Sequence, residues 1–169
     1  MAKPIWLVTG GAGFIGSHIV VELVRRGERV RVLDNLSTGS ADKIAMVRSK
    51  IQFIKGDITR AADCAKACKG VTYVLHQAAI RSVPKSMDRP QPSNEANVTG
   101  TLNMLVAARD AGVKRFVYAS SSSAYGNCKV FPQREDMRSQ PMSPYAVSKL
   151  AAEHYAIVFA KSFGLETVS

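Results

Sequence analysis

The stretch Val8–Val20, VTGGAGFIGSHIV, joins the end of an apolar run to the start of a helical pattern through a glycine-rich turn. Gly10, Gly13 and Gly16 in this turn have the spacing G-x-x-G-x-x-G. Glycines placed in this way allow a tight turn, a close approach of the backbone to a pyrophosphate, and close contact between helix and strand. The N-terminus of the following helix offers unpaired N–H groups to the same anion. The stretch therefore predicts a strand, turn and helix that bind a dinucleotide.

Short apolar runs alternate with helical patterns along the rest of the chain. The predicted strands are Ile5–Gly10, Arg29–Asp34, Ile51–Gly56, Val71–His76 and Arg115–Ser120. The predicted helices are Phe14–Arg26, Ala41–Val47, Ala61–Cys68, Glu95–Asp110 and Pro144–Phe163. Strands rich in Val and Ile, with little alternation, are typical of a sheet that is covered on both faces. We expect an α/β fold with a doubly wound parallel sheet and right-handed crossovers.

Composition limits the classes of function. The chain has 169 residues, a net charge of +10 and 46% hydrophobic residues, which suits one globular domain. The basic residues are scattered without a groove-reading motif, so we expect no nucleic-acid partner; their densest cluster, VRRGERVR, is interpreted as a solvated turn. No apolar run approaches the length of about 20 residues that spans a bilayer, so we expect no membrane partner.

The three cysteines and the N-terminus indicate a reducing compartment. An odd cysteine count and a start, MAKPIWLVTGG, that does not resemble a signal peptide argue against a disulfide framework. Cys64 and Cys68 could share a helix face, but no histidine or cysteine cluster completes a metal site, and we expect no metal. We therefore expect a cytoplasmic protein.

Asp34 ends the second predicted strand, eighteen positions after Gly16. A carboxylate there can accept hydrogen bonds from the ribose hydroxyls of an adenosine and would repel a 2′-phosphate. The next residue, Asn35, offers no positive charge to such a phosphate. The pattern favours NAD over NADP as the cofactor, and the alternative is a solvated residue that merely ends a strand.

Two further strand ends are predicted to reach the cofactor. Asp57 follows the third strand, where it could cap the next helix or meet the adenine amino group, and the sequence leaves both open. Ala78 and Ala79 follow the fourth strand, and their small side chains leave room for a dinucleotide.

Two tyrosines are each followed by a lysine four positions later. Tyr125, in YGNCK, precedes the turn formers Gly and Asn, which predict a loop. Tyr145, in SPYAVSKLAAEHY, follows a serine suited to an N-cap and a proline suited to the first helical position. Residues four apart on a helix are neighbours, so Tyr145 and Lys149 are expected to lie together. The ammonium group would stabilise a phenolate, which makes this pair the predicted base; the alternative is a surface pair with no joint task.

Taken in order, the motifs TGGAGFIG, Asp34, HQAA, NVTGTLN, SSSSAYG and YAVSK resemble those of an extended short-chain dehydrogenase/reductase. The chain most resembles the nucleotide-sugar epimerase/dehydratase branch, and within it UDP-glucose and UDP-N-acetylglucosamine 4-epimerases. The resemblance implies a Rossmann fold with the strand order 3-2-1-4-5 and the start of a sixth strand in GLETVS. It implies NAD as a tightly held cofactor and a nucleotide sugar as the substrate. It also implies dimers formed through the helices at 97–110 and 150–163.

Catalytic roles are carried over by position. The serine of the family, four residues before a Tyr-Gly pair, matches Ser121, and its base and ribose-binding lysine match Tyr145 and Lys149. Dehydratases of the branch carry Asp-Glu after the catalytic residue, whereas this chain has Ser122 and Ser123, interpreted as substrate-binding residues. The implied reaction is epimerisation at C4 through a 4-keto sugar, in which Tyr145 takes the proton of the 4-hydroxyl.

Cofactor contacts are expected from the glycine turn, the strand ends, the asparagine of NVTGTLN, which supports the region beneath the nicotinamide, and the catalytic pair. These residues are Gly10, Gly13, Phe14, Ile15, Gly16, Asp34, Asn35, Asp57, Ile58, Gln77, Ala78, Ala79, Asn97, Tyr145 and Lys149.

The resemblance also implies what is missing, because members of the family are longer and bind the nucleotide sugar with a C-terminal part. We expect residues 1–169 to be the NAD-binding domain without that part, as a fragment or a natural truncation, with weak activity or none. Two alternatives stay open: another reaction of the branch, such as dehydration or reduction, and a non-catalytic NAD-binding module.

Overall fold

A computed structural model describes residues 3–169, which form a six-stranded sheet in the order β3-β2-β1-β4-β5-β6. Every neighbouring pair of strands is parallel. The strands are β1 Ile5–Thr9, β2 Arg29–Asp34, β3 Ile51–Lys55, β4 Tyr73–His76, β5 Arg115–Tyr118 and β6 Glu166–Val168. The predicted order and the start of a sixth strand are confirmed.

Helical segments connect the strands. They are α1 Phe14–Arg25, a 3-10 helix Ala41–Lys50, α2 Ala61–Cys68, α3 Val83–Asp88, α4 Pro90–Asn94, a π-helical turn Glu95–Thr99, α5 Gly100–Asp110, a short 3-10 helix Ser122–Tyr125, and α6 Pro144–Phe163. The segment expected to be an α-helix from Ala41 is a 3-10 helix, in which Ile44 and Val47, three residues apart, are both buried. Residues three apart lie on one face of a 3-10 helix, so this form buries both.

The stretch 81–94, RSVPKSMDRPQPSN, is rich in proline and serine, which predicts a long loop, and here the structure differs. Two short helices, α3 and α4, occupy most of it, and each has a proline in its first turn. Proline has no N–H group, but no hydrogen bond is lost in the first turn, because the first N–H groups of a helix have no partner within it. Prolines therefore begin these helices.

The sheet separates two hydrophobic clusters, one on each face. Leu7 and Val8, adjacent on β1, are both fully buried, but Leu7 packs in the cluster that includes α2, α5 and α6, and Val8 in the cluster that includes α1 and the 3-10 helix. Successive side chains of a strand point to opposite faces, so central strands apolar at both positions need a helical layer on each side. This three-layer packing leaves the carboxyl ends of the strands uncovered by the layers.

The cluster VRRGERVR is only partly the solvated turn that we expected. Arg25 and Arg26 are exposed and pair with Glu22. Arg31 on β2 is buried instead, and its guanidinium donates to the carbonyl oxygens of Ala67, at 2.6 Å, and Lys69 at the end of α2. The free carbonyl groups at a helix C-terminus need donors, and Arg31 supplies them.

The cysteines in the described residues are free. Cys64 and Cys68 lie in the core, and burial raises the pKa of both thiols to about 12. Among residues 3–169, no helix has both the length and the apolar character needed to cross a membrane.

Candidate dinucleotide-binding and active site

A crevice of about 420 Å³ lies at the carboxyl ends of β1, β2 and β4, next to the glycine turn. Most of the residues predicted to contact the cofactor line it: Gly10, Gly13, Phe14, Ile15, Gly16, Asp34, Asn35, Asp57, Ile58, Gln77, Ala78 and Ala79. Two exposed cations that the sequence analysis did not single out, Lys43 and Arg81, also line it. Ligands of open α/β sheets bind in this position, outside the carboxyl ends of the strands.

The glycine turn brings helix α1 against strand β1. Gly10 has a φ of +65°, and its N–H donates to Leu33 O at 2.8 Å. A Cβ atom on Gly16 would lie 2.1 Å from the carbonyl oxygen of Gly10, so only glycine fits there. α1 begins at Phe14, and the first N–H groups of a helix have no partner inside it. The turn therefore presents backbone donors to the crevice, as the sequence predicts.

Asp34 was expected either to bind the cofactor or to be a solvated residue at the end of a strand, and the second interpretation is wrong. Its side chain is buried, Oδ2 accepts from the N–H of Ala12 at 2.9 Å, and Oδ1 accepts from the N–H of Leu36 at 2.8 Å. The carboxylate thus ties the glycine turn to the segment after β2, where Leu36 has the rare φ of +62°. A carboxylate has about four lone-pair sites, so both oxygens can still accept from a ligand.

Asp57 does not cap α2, because that helix begins four residues later, after Arg60, without a side-chain cap. Its carboxylate accepts instead from Thr59 N–H at 2.9 Å and from Asn35 Nδ2 at 2.8 Å. Burial alone would raise the pKa of Asp57, but these hydrogen bonds lower it below its usual value. The capping interpretation is wrong, and contact with adenine stays a prediction.

The two tyrosine–lysine pairs differ as the sequence predicts. The 3-10 helix that contains Tyr125 ends there, and Gly126 has a φ of +62°, so Lys129 lies outside it. Tyr145 and Lys149 both lie in the first turns of α6. Their four-residue spacing therefore places only the second pair on one helix face.

The start of α6 is fixed from two directions. Ser143 is the N-cap, and its hydroxyl oxygen accepts from the N–H of Ala146 at 3.1 Å. Ser86 of α3, which is fully buried, accepts from the N–H of Tyr145 at 3.1 Å. No local pattern indicates Ser86, because it lies 59 residues from Tyr145 in a stretch whose composition predicts a loop.

Lys149 is 4% exposed, and its Nζ lies 4.3 Å from the ring centroid of Tyr118. Within residues 3–169, this ammonium group has no salt bridge within 4.0 Å and no side-chain hydrogen bond to protein. Burial lowers the pKa of Lys149 to about 8, although Glu153, one turn further along α6, raises it. The three ammonium donors therefore remain available to a ligand.

Ser121 caps the 3-10 helix, because its hydroxyl oxygen accepts from the N–H of Ser123 at 3.2 Å. The neighbouring Ser120 donates to the carboxylate of Glu153, and Ser122 is exposed. A hydroxyl that accepts one hydrogen bond still has its own hydrogen to donate. Capping and a role toward substrate are thus compatible at Ser121.

Asn97 lies outside the crevice lining and is 1% exposed. Its Oδ1 accepts from the N–H of Ile80 at 2.8 Å, and its Nδ2 donates to Ile80 O at 3.0 Å and to Ser148 Oγ at 2.9 Å. Both amide hydrogens are used within the protein, and the cofactor contact expected for Asn97 stays a prediction. Because Ser148 in turn donates to Tyr145 O, Asn97 links the segment after β4 to the start of α6.

The model of the NAD dependent epimerase/dehydratase family matches residues 6–169. The chain belongs to this family. It is 40% identical over 162 residues to a putative UDP-glucose 4-epimerase of Methanocaldococcus jannaschii, covering 95% of this chain and 52% of that protein. It is also 40% identical over 167 residues to a UDP-glucose 4-epimerase of Streptomyces lividans, covering 97% and 50%.

Solved structures of the family have the same fold. A UDP-glucose 4-epimerase of Thermus thermophilus in complex with NAD has a TM-score of 0.91 and 43% identity, covering 98% of this chain and 53% of that one. A dTDP-glucose 4,6-dehydratase of Streptomyces venezuelae with NAD bound has a TM-score of 0.92 and 36% identity, covering 96% and 53%. The chain thus spans about half the length of the family members that it matches.

Because the ammonium group of Lys149 is buried, we expect the folded chain to be less stable at neutral pH than a variant without this charge. The pKa is 10.5 for an ordinary lysine and about 8 for Lys149 in the folded chain. Below pH 8 the ammonium group is therefore charged in both the folded and the unfolded chain, and its burial destabilises the folded chain by up to about 3 kcal/mol. Between pH 8 and pH 10.5 Lys149 loses its proton in the folded chain but keeps it in the unfolded chain, so the destabilisation decreases as the pH rises. Above pH 10.5 it disappears. We expect Lys149→Met to raise Tm at pH 7 by about 5 °C or more.

The measurement is thermal unfolding followed by circular dichroism from pH 7 to 10.5. The difference in Tm between Lys149→Met and the unmodified chain should shrink as the pH rises above 8. Lys161→Met is the matched control, since Lys161 is exposed on the same helix, and it should change stability by less than about 0.5 kcal/mol. An unchanged or lower Tm for Lys149→Met at pH 7 would contradict a buried ammonium without a salt bridge.

Proposed function

We propose that this chain is the NAD-binding portion of a nucleotide-sugar 4-epimerase, acting on UDP-glucose and UDP-galactose or on the N-acetylhexosamine equivalents. The observation that carries the proposal is the placement of Tyr145 and Lys149 in the first turns of α6, in a chain that has a glycine-turn crevice at the carboxyl ends of its strands. A phenol and an unpaired ammonium group on one helix face suit proton abstraction from a hydroxyl. The family membership of the chain supports the same reaction class.

The crevice residues fit NAD. Its volume of about 420 Å³ is in the range of small-molecule sites, and the glycine turn and the start of α1 suit a pyrophosphate. The carboxylate of Asp34, at the end of β2, suits the ribose hydroxyls of adenosine and opposes a 2′-phosphate. The solved epimerase of Thermus thermophilus, a complex with NAD, adds support.

The proposed catalytic residues have different tasks. Bound NAD would supply the hydride acceptor and donor for C4 of the sugar. Tyr145 takes the proton of the 4-hydroxyl and returns it, and Ser121 donates a hydrogen bond to the same oxygen. Lys149 binds ribose hydroxyls through its free donors and stabilises the phenolate of Tyr145. Asn97 and Ser148 keep the start of α6 in position by the hydrogen bonds described above.

Epimerisation is favoured over dehydration by two side chains. The fold does not separate the two reactions, because a dehydratase and an epimerase match this chain with similar TM-scores. Loss of water needs an acid and a base beside the reacting sugar. Ser122 and Ser123, which follow Ser121, provide neither, and we propose that they bind substrate.

We further propose a homodimer through the helices at 97–110 and 150–163, and a cytoplasmic location. Apolar side chains on α6 are exposed in the single chain, among them Ile157 and Val158, and burial in a dimer would remove them from water. The free cysteines support a reducing compartment.

Calorimetric titration of the chain tests the cofactor. We expect NAD to bind at least tenfold more tightly than NADP, because the carboxylate of Asp34 would lie beside the 2′-phosphate. Asp34→Asn should weaken NAD binding about tenfold and narrow this preference, since an amide keeps only one of the two acceptor positions. Asp110→Asn, at the end of α5 and paired with Arg109, is the control and should leave both affinities unchanged. Equal affinity for the two cofactors would refute the preference for NAD, and binding of neither would refute the proposed function.

A further inference from the structure

A row of side chains crosses the sheet beneath the proposed active site. Thr9 of β1 pairs in register with His76 of β4, which pairs with Tyr118 of β5. The ring nitrogens of His76 contact two hydroxyls, Nδ1 with Thr9 at 2.7 Å and Nε2 with Thr101 of α5 at 3.0 Å. The rings of His76 and Tyr118 are stacked, with centroids 6.0 Å apart and an interplanar angle of 24°. The ammonium group of Lys149 lies over the Tyr118 ring at the end of the row.

The row is buried, and its two titratable groups, His76 and Tyr118, stay neutral. Tyr118 and His76 are almost completely buried, and the hydroxyl of Tyr118 donates to the carbonyl oxygen of Lys149 at 3.2 Å. Burial, with a smaller contribution from Lys149, lowers the pKa of His76 to about 3, so its ring is neutral at working pH. Burial raises the pKa of Tyr118 well above its usual range, so it stays a phenol. Neither ring gains a charge that would displace Lys149.

We propose that Tyr118 is a positioning residue for Lys149 and holds the ammonium group with its ring face, while His76 fixes the ring from the other strand. The inference deepens the proposed function, since Lys149 is the residue proposed to bind the cofactor ribose. A lysine has a flexible four-carbon stem and needs a fixed partner to hold one place. Glu153 attracts the same ammonium but lies beyond salt-bridge distance and accepts from Ser120. The ring is therefore the direct contact, and a desolvated contact of this kind is strong enough to matter.

Three variants of the chain separate this role from ordinary core packing. Tyr118→Leu removes the ring and the hydroxyl, whereas Tyr118→Phe keeps the ring. Phe116→Leu removes a ring from the same face of the same strand, where Phe116 is fully buried and 5.4 Å from His76. In the described part of the chain, Phe116 has no cation–π contact with Lys149.

Two measurements are made on each variant after circular dichroism confirms folding. One is the rate at which Lys149 is acetylated by an amine-reactive ester at pH 8.5, read by peptide mass spectrometry. The other is the Kd for NAD from calorimetric titration. We expect Tyr118→Leu to increase the labelling rate and the Kd about tenfold each, and Tyr118→Phe and Phe116→Leu to stay within about twofold of the unmodified chain.

Two other outcomes would refute the positioning role of Tyr118, and a third would refute the proposed function. If Phe116→Leu changes both quantities as much as Tyr118→Leu, general core loosening explains the effect and the positioning role is refuted. If Tyr118→Leu leaves both unchanged, the role is also refuted. If the unmodified chain does not bind NAD, the proposed function fails, and the labelling rates alone decide whether Tyr118 positions Lys149.

Discussion

Replacing Tyr145 with phenylalanine should lower kcat for UDP-galactose epimerisation about a thousandfold, because the ring stays and only the group proposed to carry the proton is removed. The assay uses a fusion of residues 1–169 to the C-terminal half of the Thermus thermophilus UDP-glucose 4-epimerase, which is 43% identical to this chain over the shared part. For the 169-residue chain alone we expect weak turnover or none, since remote contacts normally position the reacting sugar. The Kd for NAD should change by less than about threefold, because the phenol acts on the sugar.

Tyr125→Phe is the matched control for this experiment. Tyr125 also precedes a lysine by four residues, but the two do not share a helix. Its loss should leave kcat within about twofold of the unmodified fusion. A fusion carrying Tyr145→Phe that keeps its turnover would remove Tyr145 from the mechanism and leave the dinucleotide fold without a proposed base.

Gly16→Ala should destabilise the fold by about 3 kcal/mol or more and abolish detectable NAD binding. The new Cβ would lie 2.1 Å from Gly10 O and 2.8 Å from Gly11 Cα, and both are backbone atoms that cannot rotate away. Helix α1 must then move off β1, which opens the turn proposed to hold the pyrophosphate. The gain of about 1 kcal/mol in helix propensity from alanine is too small to offset the clash. Urea unfolding and NAD titration measure the two effects.

Gly100→Ala distinguishes a backbone clash from a crowded side chain. A Cβ on Gly100 in α5 would lie 2.7 Å from both Cδ1 and Cγ1 of Ile58, which are side-chain and not backbone atoms. Ile58 can rotate, and alanine favours the helix, so the change in unfolding free energy should stay below about 1 kcal/mol. Equal destabilisation by the two substitutions would contradict the tight contact between α1 and the glycine turn.

Short-range patterns explain why much of the fold and site could be predicted. The glycine spacing, the serine and proline before Tyr145, and the apolar runs of the strands each act over a few residues. They located five of the strands and put Tyr145 and Lys149 on one helix, whereas the strand order and the sixth strand were implied by the family resemblance. The errors occur where a local pattern fits two structures. The prolines at 84–92 fit a loop but lie in the first turns of α3 and α4. Asp57 could have capped α2, but its carboxylate bonds to Thr59 and Asn35.

The sequence by itself determined the glycine turn that lines the crevice, the carboxylate that ends β2, and the helix that carries the tyrosine and the lysine. Only the tertiary structure decided what holds them: Asn97 bonds to Ser148 across 51 residues, Ser86 to Tyr145 across 59, and Tyr118 to Lys149 across 31. Nor could the sequence show that Lys149 is buried without a salt bridge to any of residues 3–169. The physical reason is range, because capping and helix spacing are set by neighbours along the chain, whereas burial and buried hydrogen bonds depend on which distant elements pack together.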